Sequence, residues 1–319
     1  MHRRDRSGAR ASPGARPQQG RLLVASAVLV VAAAIGGAVF LLSNHVRAVL
    51  VSCSRSGPSA ALAARIARTP GPPAAGGSEP PNDGVPWHLA LRDTFSSRTV
   101  DTSLWRRCYP WFGKSVGCTN FGNDELEWYL PSQVRVVDHV LRLVADRTPT
   151  QGLSRHSRTK LYPWRSGLVN TFGSCEFTYG YIDVVAKLPR GDGMWPALWL
   201  LQANGQWPPE IDMMEYWGNE PHLLHFTFHR TVSDAPSRVL YTADDLSAGY
   251  HSYGLDWEPG SITWYFDGRA VFRVTGRVPH KPMYLIANLA VDGAQGYTTS
   301  TSTPRSQDFE IKSMRIWQH

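Results

Sequence analysis

The sequence predicts an all-β fold, one sandwich or barrel, preceded by a single transmembrane helix and a disordered linker. Three observations carry this reading. Runs in the C-terminal region alternate apolar and polar residues or concentrate β-branched and aromatic ones. Asp267-Gly268, between Ser261–Phe266 and Ala270–Val274, is a two-residue hairpin signal. Past Leu42 no long window has helical periodicity, and about 230 residues suffice for one β domain.

The first 21 residues hold six arginines against Asp5 and are read as a cytoplasmic basic tail. Leu22–Leu42 is apolar apart from Ser26 and long enough for one membrane span of about 20 residues. With the arginines before it, it predicts a cell-membrane signal anchor with the C-terminal domain extracellular. Secretion after signal cleavage is the alternative. Residues 43–86 are rich in Pro, Gly and Ala and read as a linker with too little apolar surface to fold. Leu50-Val51-Ser52-Cys53 resembles an acylation box, but Ser43–Arg47 separates it from the apolar run.

Residues 87–319 form the expected catalytic domain. Its candidate strands are Gln133–Ala145, Glu176–Leu188, Ala197–Leu201, Glu210–Tyr216, His222–His229, His251–Trp257, Ser261–Phe266, Ala270–Val274, Met283–Leu289 and Phe309–Trp317. The chain's formal charge of +7 comes from the N-terminal arginines; residues 87–319 hold 23 basic and 23 acidic side chains. That neutrality argues against nucleic acid. All 12 tryptophans lie here. Half are expected in the core and the rest as flat platforms for sugar rings. Cys108 and Cys118 bracket a turn-rich segment that a disulfide can close in an oxidising compartment; Cys175 is expected as a buried thiol.

Glu210-Ile211-Asp212-Met213-Met214-Glu215 places three carboxylates within six residues of an otherwise buried strand. By alternation Glu210 and Asp212 share a face and Glu215 takes the other. One bulged methionine corrects that phase and brings all three acids to one surface. Two carboxyls there can flank a scissile glycosidic bond, one as nucleophile and one as proton donor.

The chain resembles glycoside hydrolase family 16. The resemblance rests on this Glu-x-Asp-x-x-Glu strand together with Asn123–Tyr129, Phe177–Gly180, Lys187–Gly191, Trp195–Leu200, Asp256–Pro259 and Asn288–Val291, in family order. It implies a jelly-roll sandwich of two antiparallel sheets with a glycan cleft on its concave face. It also implies Glu210 as nucleophile, Asp212 as its electrostatic neighbour and Glu215 as general acid/base. The spacing looks like that of laminarinases, agarases and carrageenases; agarose and carrageenan degradation being specialised, the resemblance implies a retaining endo-acting glucanase on β-1,3- or mixed β-1,3/1,4-glucan. Trp195, Trp217, His225 and Asn123 match family substrate-binding positions, and Trp199 is expected in the core. No cofactor is expected, since Lys312 stands where family members often bind calcium through an aspartate; a monomer is expected. Pro209, Phe226 and Leu168 depart from the family pattern, Phe226 in a way expected to narrow the cleft wall. A transglycosylase, a non-catalytic glucan-binding lectin and a surface adhesion module are the rival readings.

Overall fold

The computed structural model of the chain describes residues 77–81, 84, 86–112, 117–293 and 298–319. The expected span Leu22–Leu42 and Cys53 lie outside them. Among the described residues no helix is long and apolar enough to cross a membrane.

The described chain is all-β, as expected, with only two short 3-10 turns, Pro110–Phe112 and Pro131–Gln133. Its strands are β1 (His88–Asp93), β2 (Glu127–Tyr129), β3 (Val134–Val137), β4 (Val140–Asp146), β5 (Thr150–Leu153), β6 (Thr159–Tyr162), β7 (Trp164–Ser166), β8 (Leu168–Asn170) and β9 (Glu176–Phe177). There follow β10 (Gly180–Lys187), β11 (Met194–Gln202), β12 (Glu210–Glu215), β13 (Leu223–His229), β14 (Ser237–Thr242) and β15 (His251–Glu258). The last four are β16 (Ser261–Phe266), β17 (Arg269–Thr275), β18 (Met283–Val291) and β19 (Ser306–Gln318).

Two sheets pack face to face in a jelly-roll-like sandwich. One has ten strands, along β17-β16-β15-β10-β19-β4-β7-β2 with β1 on β19 and β3 on β4. The other has seven, in the order β14-β13-β12-β11-β18-β8 with β9 on β18. Pairing is antiparallel except between β2 and β7, and β5–β6 is a separate hairpin. Alternation builds the core between the sheets. Ile182 and Val184 of β10, Leu255 of β15 and Trp264 of β16 meet Leu198 and Leu200 of β11, Ile211 of β12 and Leu285 of β18 in one buried cluster. Each fully buried side chain of this size contributes roughly 1.5–3 kcal/mol.

Two expected strands are in fact pairs. Gln133–Ala145 breaks into β3 and β4 at Asp138-His139, both with positive φ (52° and 61°). That turn suits right-twisted strands but lacks the glycine that announces it. Glu176–Leu188 breaks at Tyr179 (φ 65°) into β9 and β10, which join different sheets. The Asp267-Gly268 hairpin is present, with φ of 47° and 76°. Cys108 and Cys118 are disulfide-bonded, Cα atoms 5.7 Å apart. Cys175 is buried, but it is disulfide-bonded and not the free thiol expected.

Part of the expected linker is attached to the ten-stranded sheet. The Ser78 amide donates to Asp183 (3.1 Å) and Arg315 pairs with Glu79 (3.0 Å) and Asp183 (2.7 Å). Asp183 is fully buried and also accepts a bond from the Ser252 hydroxyl. Residues 78 and 79 thus help to satisfy a buried ion pair that would otherwise be costly.

Candidate active site

The three acids lie on β12, in the middle of the seven-stranded sheet. Against β11, Met214 faces Leu198 and Asp212 faces Trp199, so Met213 is the extra residue of a bulge. Against β13 the register also shifts between Asp212 and Glu215. Ile211, Met213 and Met214 all enter the inter-sheet core, which leaves Glu210, Asp212 and Glu215 on the opposite face. The indole N–H of Trp264, reaching from the other sheet, donates to the Asp212 carbonyl (2.8 Å). A core side chain thereby satisfies a main-chain group where the ladder is disturbed.

Neighbouring side chains grip each acid. Trp207 Nε1 donates to Glu210 (3.0 Å) and Trp195 Nε1 to Glu215 (3.2 Å). His229, directly opposite Glu210 in register, places Nε2 3.3 Å from Asp212 and 3.8 Å from Glu210. Among the described residues Glu210, Asp212 and His229 are the one group spaced closely enough to hold a metal ion.

Burial, and then repulsion from Asp212, pushes the Glu210 carboxyl well above the ordinary range; His229 and the Trp207 N–H oppose this. Burial, followed by the charge of Glu215, does the same to Asp212. Burial raises Glu215 against the pull of Arg238 and Trp195. Burial thus shifts all three carboxyls in the same direction, toward the protonated form. A nucleophile beside a proton donor needs one carboxyl charged and one protonated.

The expected binding residues are placed differently from what the sequence suggested. Trp195 and Trp217 stack on each other, centroids 6.1 Å apart, and are only 6% and 3% exposed. They flank Glu215 and offer no open platform. Gly293, at φ 142°, lies on the Trp195 ring, where a Cβ would come within 2.9 Å of it. His225, opposite Glu215 in register, packs edge-on against Trp217 at 3.7 Å. Burial, with Arg238 nearby, pushes its pKa down to about 4, so the ring is neutral.

Asn123 turns its amide to Glu125 (3.0 Å), and a polar chain continues through Tyr129, Asn288 and Trp199. Trp199 is accordingly not in the inter-sheet core but in a layer on the acid-bearing side, with Tyr109, Tyr129 and Leu168. Leu168 lies fully buried in that layer. Phe226 points into the inter-sheet core and does not narrow the acid-bearing face. Beneath this layer Glu125 and Glu127 form a second buried acid pair, both raised chiefly by burial.

Sequence reasoning missed Trp207, half exposed and bonded to Glu210, and did not assign His229 its contact with two acids. The signals were its phase on β13, matching Glu210, and an indole three residues before that acid. Arg238 on β14 was also missed. The three acids lie on the face of the seven-stranded sheet turned away from the inter-sheet core. A separate polar hollow of about 370 Å³, lined by Lys187, Arg190 and Glu310, contains none of these acids.

The sequence profile described as "Glycosyl hydrolases family 16" matches residues 127–310. The chain is 34% identical over 209 residues to Endo-1,3-1,4-beta-glycanase EglC of Rhizobium meliloti, covering 62% of this chain and 44% of that protein. It is 32% identical over 235 residues to Endo-1,3-1,4-beta-glycanase ExsH of the same organism, covering 70% and 48%. The chain thus spans less than half the length of these relatives. The X-ray structure of endo-beta-1,3-glucanase from Pyrococcus furiosus superposes with a TM-score of 0.66 at 29% identity, covering 74% of this chain and 96% of that one.

Proposed function

The chain belongs to glycosyl hydrolase family 16, and from that membership we propose that it is a retaining endo-glycosidase cleaving β-1,3- or mixed β-1,3/1,4-glucan. The observation that carries the reading is the bulge at Met213, which brings Glu210, Asp212 and Glu215 to one face. Relatives bearing endo-1,3-1,4-beta-glycanase names and the endo-beta-1,3-glucanase fold support the substrate class.

Ionised Glu210 attacks the anomeric carbon and forms a glycosyl-enzyme while Glu215 gives its proton to the leaving oxygen. Glu215, now a base, then takes a proton from the water that releases the sugar. The Trp207 N–H and His229 favour the Glu210 anion, and buried Asp212 lets a proton be shared between the two glutamates. Loss of either glutamate removes a chemical role, whereas the known glucan-binding lectin alternative needs neither.

The test is release of reducing ends from soluble β-1,3-glucan by the wild-type protein and by Glu210→Gln. Hydrolysis by the first alone supports the reading; equal hydrolysis by both, or none by wild type, overturns it. We further propose that Leu22–Leu42 holds the catalytic region outside a membrane, a reading supported by the arginine-rich residues before it.

A further inference from the structure

The acid-bearing face carries a cation, Arg238, whose charge reaches the acids without pairing with any of them. On β14, Val239 and Tyr241 pack against the inter-sheet core, so by alternation Arg238 and Leu240 take the opposite face. Both are exposed there. Register aligns Arg238 with the chemistry, since Asp212 pairs with Thr227 and Thr227 with Arg238. Two strand spacings, about 10 Å, separate its backbone from that of Asp212. Its charge acts on Asp212, Glu215 and His225, yet among the described residues it makes no hydrogen bond or ion pair.

The other titratable groups on this side include His225 and His229 of β13, the three acids of β12 and Glu220, 3.9 Å from His225. In water an exposed guanidinium costs nothing. A polysaccharide lying across the face removes that water, and an unpaired cation beneath it is then costly. A neutral glucan offers only hydroxyl acceptors and no opposite charge, whereas a carboxylate or sulfate ester meets the planar fork with two parallel charge-assisted bonds.

We propose that the β13–β14 side of the face binds an anionic substituent of the polysaccharide through Arg238, which makes the preferred substrate an acidic glucan. The inference rests on the glucanase reading above. Its test compares kcat/KM on laminarin with that on the same laminarin carboxymethylated or sulfated to low degree, for the wild-type protein, Arg238→Gln and Arg238→Lys. The expected wild-type ratio of charged to neutral substrate is about tenfold, one charge-assisted pair's worth, and it shrinks as salt rises.

Arg238→Gln brings the ratio to about one and Arg238→Lys leaves part of it. Comparing the carboxymethyl and sulfate arms identifies the anion. A wild-type ratio of one or below overturns the proposal. So does an equal loss on both substrates with a shifted pH profile, which would make Arg238 a tuner of the acids. The same ratio is read without turnover as binding of each polymer to Glu210→Gln, with and without Arg238→Gln. Absence of wild-type hydrolysis on every polymer therefore counts against the glucanase reading alone.

Discussion

At the scale of single residues, three acids share one face where burial pushes each toward its protonated form. Glu210→Gln removes the nucleophile and Glu215→Gln the proton donor, and each is expected to lower kcat on glucan by on the order of 10³-fold or more. Melting temperature and glucan affinity should stay close to wild type, and Asp212→Asn should keep part of the activity. Steady-state kinetics on soluble β-1,3-glucan reads all three; near wild-type turnover of Glu215→Gln would refute its role. Glu127 carries a pH prediction. Its carboxyl is raised well above the ordinary range by burial and by Glu125. Below about pH 4 such a group is neutral both folded and unfolded. Between its unfolded and folded pKa the folded chain holds more protons, so stability falls as pH rises through that window. Glu127→Gln should therefore melt higher than wild type at pH 7, with the gain vanishing below about pH 4; calorimetry across pH measures it. The shared face of the three acids was legible because three acids in a buried strand are costly unless one bulge gathers them on one side. The surroundings were not. Burial of Trp195 and Trp217 depends on Gly293 and on each other, contacts remote in sequence that no local pattern reports.

At the scale of the element, the bulge decides whether β12 works. Removing Met213 should cost stability through lost core packing but retain some hydrolysis, because Glu-x-Asp-x-Glu in a plain strand keeps all three acids on one face. Inserting one alanine between Asp212 and Glu215 turns Glu215 into the core and should abolish hydrolysis. Activity of both folded variants on β-1,3-glucan, after circular dichroism, makes the comparison; an active insertion variant would refute the phase argument. Trp264→Phe keeps an aromatic ring but leaves the Asp212 carbonyl without its indole donor. It should cost about 1–3 kcal/mol in chemical denaturation and lower kcat more than it raises KM. The bulge and the Asp267-Gly268 hairpin could be read from local residues. The Asp138-His139 turn could not, since it lacks the glycine that marks a two-residue hairpin, and the short strands β5 to β8 carry too few residues to show a period.

At the scale of the whole molecule, the folded domain begins before its expected start at residue 87. Ser78 and Glu79 close over Asp183 and Arg315, so a chain starting at residue 77 should melt higher than one starting at 87, with equal activity on glucan at low temperature. Equal melting would show that these contacts add nothing. The linker composition hid this attachment, because two polar residues contribute no hydrophobic pattern. Full-length protein should sediment with membranes, its catalytic region open to external protease; recovery of a mature secreted form starting near Val49 would replace the anchor with cleavage. On the proposed glucanase reading the jelly-roll-like fold presents two glutamates to opposite sides of one glycosidic bond, and their joint action has a stereochemical signature. Proton NMR of the first product released from β-1,3-glucan reads it directly. Double displacement through Glu210 and Glu215 gives the β-anomer before mutarotation; initial release of the α-anomer would contradict the assignment of Glu210 as nucleophile.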